Sequence, residues 1–105
     1  MRSVRLLAAL SLALAFSACV QRPEADASGQ EIFVQVCARC HGADLSGGVG
    51  PELGPDSNAA SQPDEFLTSA ISEGRGTMPS FAQTLTADQI DRVVAYLRQS
   101  QAGDS

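Results

Sequence analysis

Residues Cys37, Ala38, Arg39, Cys40 and His41 spell Cys-x-x-Cys-His, and no other stretch constrains this chain so tightly. Two thiols three positions apart can each add across a vinyl group of one haem, giving two thioether bonds. The next residue then falls beneath the porphyrin plane, where its imidazole can ligate the iron. A group of that size, tethered to one short turn, has to become the centre around which a small chain packs. Other readings of a close cysteine pair need partners that the sequence does not offer. A thioredoxin-like dithiol wants a preceding strand and a βαβ pattern around it, and neither is visible. A four-ligand zinc site needs a fourth Cys or His, and the remaining cysteine, Cys19, belongs to a segment with another purpose.

That segment is the N-terminus. Arg2 and Arg5 precede eleven uncharged, mostly apolar residues from Leu6 to Phe16, and Ser17 and Ala18 lead into Cys19. This is the layout of an export signal. Eleven residues fall short of the ~20 that a spanning helix needs, and Gln21, Arg22, Pro23 and Glu24 end the apolar run. Phe16-Ser17-Ala18-Cys19 resembles the lipobox of bacterial lipoproteins, in which the Cys is lipidated and becomes the mature N-terminus. Phe16 stands where Leu is usual. Ordinary cleavage nearby would leave a lone thiol, an odd remainder in an oxidising compartment. Several acyl chains on one residue would hold the protein at a membrane far better than one. The expected organisation is therefore a lipoprotein signal peptide over 1–18, a lipidated N-terminus and tether over 19–27, and one domain over 28–105. Fully extended, Val20 to Ala27 would reach about 28 Å.

Removal of residues 1–18 takes away two Arg and no acid, so the formal net charge moves from −5 to −7. There is no lysine. A chain so acidic is not suited to bind nucleic acid or an anionic surface through charge. A domain this small and without Trp has a marginal core of its own. A covalently held macrocycle at its centre supplies the missing apolar surface.

Ser28-Gly29-Gln30-Glu31 has the form of a capping box, and Ile32, Phe33 and Val36 follow at helical spacing. A first helix is expected from about Gly29 into the Cys-x-x-Cys-His motif. Gly42 to Gln62 is rich in Gly, Pro and small polar residues with no periodicity, a loop wrapped around something. Pro63 suits the first turn of a second helix, with Asp64 and Glu65 near its N-terminus, Phe66, Leu67, Ala70 and Ile71 as its apolar face, and Gly74 at its end. A second loop to Leu85 carries Met78. Thr86-Ala87-Asp88-Gln89 is another capping box, and Ile90, Val93, Val94 and Leu97 form an i, i+3, i+4, i+7 stripe. Asp88, Asp91, Arg92 and Arg98 read as solvated helix faces. No β pattern or repeat is present in the sequence.

From Gly29 to about Gln99 the chain resembles the class I cytochromes c. Gly29 and Phe33 match the family's Gly-x-x-x-aromatic pattern on the first helix, and Tyr96 matches the aromatic on the last helix that packs across it. Cys37 to His41 ends the first helix, as in the family. Gly50-Pro51-Glu52-Leu53 resembles the segment whose Pro carbonyl accepts a hydrogen bond from the proximal imidazole, and Arg75-Gly76-Thr77-Met78-Pro79 resembles the loop that presents the distal Met. The resemblance implies an all-α class I cytochrome c fold, about three main helices wrapped around one covalently bound haem c. It implies attachment through Cys37 and Cys40, iron ligation by His41 and Met78, a hydrogen bond from the other ring nitrogen of His41 to the Pro51 carbonyl, and Arg75 beside a haem propionate.

The residue inventory agrees on the axial pair. His41 is the only histidine, there is no lysine, and Met78 is the only methionine beyond the signal. With both axial positions filled, nothing is left for substrate or O₂, so the chemistry reduces to one-electron exchange. The leading expectation is an electron carrier, not an enzyme, exported and tethered by lipid at Cys19. It would pass electrons between a redox donor and an acceptor such as a respiratory complex, an oxidase or a periplasmic dehydrogenase. Many relatives dock through lysines, and this chain has none, so its partner should present a basic or apolar patch. The alternatives are a haem-bearing subunit of a larger oxidoreductase, a gas sensor or peroxidase with an open distal site, and a colourless thiol or zinc protein.

Overall fold

A helix starts most readily where a side chain can satisfy its first unpaired backbone N–H groups. In the computed structural model, which describes residues 22–103, the Ser28 hydroxyl accepts from Glu31 N at 3.1 Å and opens the first helical run. α1 (Gly29–Ile32), a π-helical turn (Phe33–Cys37) and α2 (Ala38–His41) follow without a break, carrying the chain through the whole cysteine motif. The signal stretch and Cys19 lie outside the described residues.

After a loop with a short 3₁₀ turn (Ala59–Ser61), α3 (Asp64–Glu73) begins one place later than the sequence suggested. Pro63 is its N-cap rather than part of its first turn, and Asp64 and Glu65 sit at the positive end of the dipole. Gly74, at φ 81°, ends it. α4 (Ala87–Gln101) is capped in both directions: Gln89 N donates to Thr86 Oγ1 at 3.1 Å, and Thr86 N donates to Gln89 Oε1 at 2.8 Å. Among the described residues no strand forms, and the expectation of an all-α fold of about three main helices holds, with α1–α2 counted as one run.

The core lies where α1 crosses α4. Ile32 and Phe33 are fully enclosed, and all four members of the α4 stripe, Ile90, Val93, Val94 and Leu97, are buried against them. The Phe33 and Tyr96 rings meet with centroids 5.5 Å apart, within the range where tilted aromatic pairs attract. Leu67 and Ile71 bring α3 into the same cluster. Gly29 makes the crossing possible, since a Cβ there would stand 2.0 Å from the Arg92 carbonyl oxygen.

Two arginines read as solvated turn out to be fasteners. Arg92 donates to the Ala25 carbonyl at 2.9 Å, to the Ala27 carbonyl, and back to Asp88 O at 3.3 Å. Gln89, itself buried, donates from Nε2 to Glu24 O at 3.1 Å. Residues 24–27 are therefore strapped along α4, with Ala27 buried, where the sequence suggested tether as far as Ala27. Arg98 pairs with Asp64 at 2.7 Å and donates to the carbonyls of Ala59, at 3.2 Å, and Gln62. The exposed ion pair alone is worth at most about 1 kcal/mol; the carbonyl contacts matter more, because they pin the end of the long loop to α4. Arg92→Ala is expected to cost about 2 kcal/mol, as hydrogen bonds from a charged group do, and to expose the strap. Urea unfolding and the rate of proteolytic cutting within residues 22–27 check this, and an unchanged cutting rate would show that Arg92 does not hold the strap.

Candidate haem site

The cysteine motif occupies the last residue of the π turn and all of α2. The Ala38 N–H reaches back five residues to the Phe33 carbonyl, which widens the helix just before the motif. Such turns concentrate at functional sites, and nothing in the sequence marks this one. Cys37 is buried within the apolar cluster, Cys40 is half-buried, and neither is in a disulfide. Burial, with a smaller contribution from neighbouring Cys40, pushes the Cys37 thiol up to about 11. A sulfur so placed resists carrying charge, and a thioether never has to.

His41 is buried, and its ring is fixed on one side. Nδ1 lies 2.8 Å from the Pro51 carbonyl oxygen. A carbonyl can only accept, so Nδ1 carries a proton, and in the neutral ring the lone pair that a metal needs is then on Nε2. Gly50 lies flat against the ring: a Cβ there would come within 2.9 Å of Cε1 and 3.0 Å of Nδ1. The loop reaches this position by capping α2 with its own backbone. Gly42 N takes the Ala38 carbonyl at 2.8 Å, Gly50 N the Cys40 carbonyl at 2.7 Å, and Gly47 N the His41 carbonyl at 2.8 Å. The helix end that presents the imidazole is thus the framework on which its hydrogen-bond partner is mounted. The sequence pointed to Pro51 and left the packing role of Gly50 unstated.

Met78 sits in the loop between α3 and α4 and packs, half-buried, against the cluster that encloses Cys37. Arg75 is exposed beside it, with its guanidinium 4.8 Å above the centre of the Phe66 ring. That cation–π contact holds the charge at the rim of the loop. The arrangement brings His41 to Pro51 and Arg75 to Met78. The residues fit a covalent haem: two thiols one helical turn apart, one buried where a neutral thioether is favoured, an imidazole tied at Nδ1 so that Nε2 is the nitrogen left for a metal, and a soft thioether on the same apolar cluster.

A helical domain built on Cys-x-x-Cys-His, with the imidazole hydrogen-bonded to a Pro carbonyl, is the arrangement of a class I c-type cytochrome. The comparisons agree. Residues 24–97 match the family described as cytochrome c oxidase, cbb3-type, subunit III, and the chain belongs to this family of c-type cytochromes. Cytochrome c6 of Rippkaea orientalis is 33% identical, with 93% of this chain and 96% of that protein aligned. Dihydro-heme d1 dehydrogenase of Pseudomonas aeruginosa is 38% identical over 90% of this chain, which spans only 19% of that protein. Among solved structures, the c-type cytochrome NirC superposes with a TM-score of 0.60 at 34% identity, over 68% of this chain and 85% of that one. The protein carries one covalently bound haem c and is a haem-based electron carrier.

Proposed function

We propose that this carrier works with His41 and Met78 as axial ligands and with thioether bonds at Cys37 and Cys40, and that it is exported and held at a membrane by lipid on Cys19. When bound, the haem supplies a one-electron couple between ferric and ferrous iron. The single observation that carries the ligand assignment is the 2.8 Å bond between His41 Nδ1 and the Pro51 carbonyl, which sets the tautomer. That bond also steadies the ring and raises its basicity. Met78 supplies a soft sixth ligand, which favours the ferrous state and raises the potential. Arg75, steered by Phe66, supplies a positive charge for a propionate. With both axial positions taken by side chains, substrates and O₂ have no place to bind, and the protein is not itself an enzyme.

No described helix is long and apolar enough to cross a membrane. The anchor we propose is the lipid, with residues 1–18 removed. Because the strap on α4 already includes Glu24, the free tether is shorter than the full stretch to Ala27. The donor and acceptor are redox proteins outside the cytoplasm, and the 12 acids and absence of lysine favour a basic or apolar patch on them. A second reading, as the electron-transfer subunit of a larger oxidoreductase, draws on the match to one part of a much longer dehydrogenase; co-purification of a catalytic subunit would distinguish it. The test of the site is an optical spectrum of the holoprotein, matured with its signal intact. Sharp low-spin ferrous bands and the weak far-red ferric band of an iron–methionine bond are expected. A high-spin spectrum that shifts with carbon monoxide would sink the Met78 assignment.

A further inference from the structure

A helix leaves its last four carbonyls without partners inside the helix. In α3, Gly74 N takes the Ala70 carbonyl at 3.1 Å. The next two are satisfied by the chain that has just passed Met78: Phe81 N donates to Ile71 O at 2.9 Å, and the Ser80 hydroxyl donates to Ser72 O at 2.5 Å. Pro79 has no N–H to offer, so the Ser80 hydroxyl is the first donor beyond Met78 that reaches α3. On the other side of Met78 the backbone is closed by a tight turn. Arg75 N donates to Met78 O at 3.1 Å and Met78 N to Arg75 O at 2.9 Å, with Gly76 at φ 59°. Gly74 lies against the same turn, and a Cβ there would stand 2.7 Å from Met78 O and 2.9 Å from Ser80 N. Before Met78 the fastening is all main chain. Behind it, the bond nearest in sequence depends on one side chain.

We propose that Ser80 is a positioning residue for the sixth ligand: by capping the end of α3, its hydroxyl holds the Met78 thioether against displacement. This rests on the reading of Met78 as the axial ligand. Ser80 does not touch the iron site. It acts through the backbone of Pro79 and Met78, and its hydroxyl is oriented by a second contact, from Ala82 N at 3.4 Å. Loss of the cap frees the loop to swing Met78 outward, which favours any external ligand competing for the same position.

The test is an imidazole titration of the ferric holoprotein, with the far-red band followed as imidazole displaces Met78. Ser80→Ala is expected to lower the half-saturating imidazole concentration about three- to tenfold, the effect of one lost hydrogen bond. Ser80→Thr keeps the hydroxyl and is expected to restore the parental value. Ser61→Ala removes a bond of the same kind, from Ser61 Oγ to Asn58 O at 2.8 Å, at another place on the surface, and is expected to leave the titration unmoved. An unshifted Ser80→Ala, or an equal shift in Ser61→Ala, overturns the positioning role while leaving Met78 as ligand. A parental protein without the far-red band overturns the axial assignment and the positioning role with it.

Discussion

Gly29→Ala is expected to destabilise the holoprotein by about 3 kcal/mol or more, at the upper end of what an added methyl costs in a packed core. The new Cβ would stand 2.0 Å from the Arg92 carbonyl oxygen and 2.7 Å from its carbon, with Tyr96 Cβ at 3.0 Å. The first two are backbone atoms inside α4, so no side-chain rotation relieves the overlap. α1 would have to back away, lifting Ile32 and Phe33 from their enclosed positions and opening the 5.5 Å contact between Phe33 and Tyr96. Helix propensity acts in the opposite direction, by about 1 kcal/mol in favour of Ala at an interior position and less at a helix start. The collision therefore decides the sign. Against a total stability of about 5–15 kcal/mol for a small domain, the loss is large enough to reduce the yield of folded protein. Gly54→Ala is the control, since a Cβ there meets nothing within 4 Å; it is expected to change stability by no more than about 0.5 kcal/mol. Urea unfolding of both variants checks the pair. A parental midpoint for Gly29→Ala would mean that the two helices do not cross as closely as described.

That crossing shows which parts of the molecule were legible in the sequence. Caps and stripes are local, so Ser28, the Thr86–Gln89 box and the Ile90–Leu97 stripe could be read directly and appear where expected. Gly29, Phe33 and Tyr96 are far apart in the chain, and only the family resemblance joined them. The haem motif is continuous and could be read from its spacing, whereas the Pro51 partner of His41, ten residues on, came from the family resemblance. What escaped reading depends on acceptors with no sequence signature. Arg92 and Arg98 stand at positions that look solvated, yet they end on backbone carbonyls of residues 25, 27, 59 and 62. Any residue has a carbonyl, so no pattern of residue types announces the contact. The π turn at Phe33–Cys37 is hidden for a similar reason. It replaces one main-chain hydrogen bond by another, the Ala38 N–H reaching the Phe33 carbonyl, and a bond between main-chain groups carries no residue signature.

Met78→Ala is expected to leave the haem attached and change what the iron can do. On the proposed assignment Cys37 and Cys40 hold the haem and His41, bonded to the Pro51 carbonyl, ligates it; the substitution alters none of these residues, so covalent attachment and the proximal ligand should persist. No replacement for the sixth ligand is available within the domain, because His41 is the only histidine and the chain has no lysine. The far-red ferric band is therefore expected to vanish, the ferrous iron to become high-spin and bind carbon monoxide, and the potential to fall by on the order of 0.1 V or more within the ~0.8 V range that axial ligands span. Met78 also packs, half-buried, against the core, so truncation to Ala removes apolar contact as well as a donor atom. Met78→Leu separates the two effects: Leu fills a similar volume at a cost below about 1.5 kcal/mol but has no lone pair to offer. Both variants should share the open-site spectrum, and the Leu variant should keep more of the parental stability. Should Met78→Leu retain the far-red band and exclude carbon monoxide, the sixth ligand is another group and the electron-transfer site has to be redrawn. Should it bind carbon monoxide with parental stability, this one thioether is what closes the iron and confines the protein to carrying electrons.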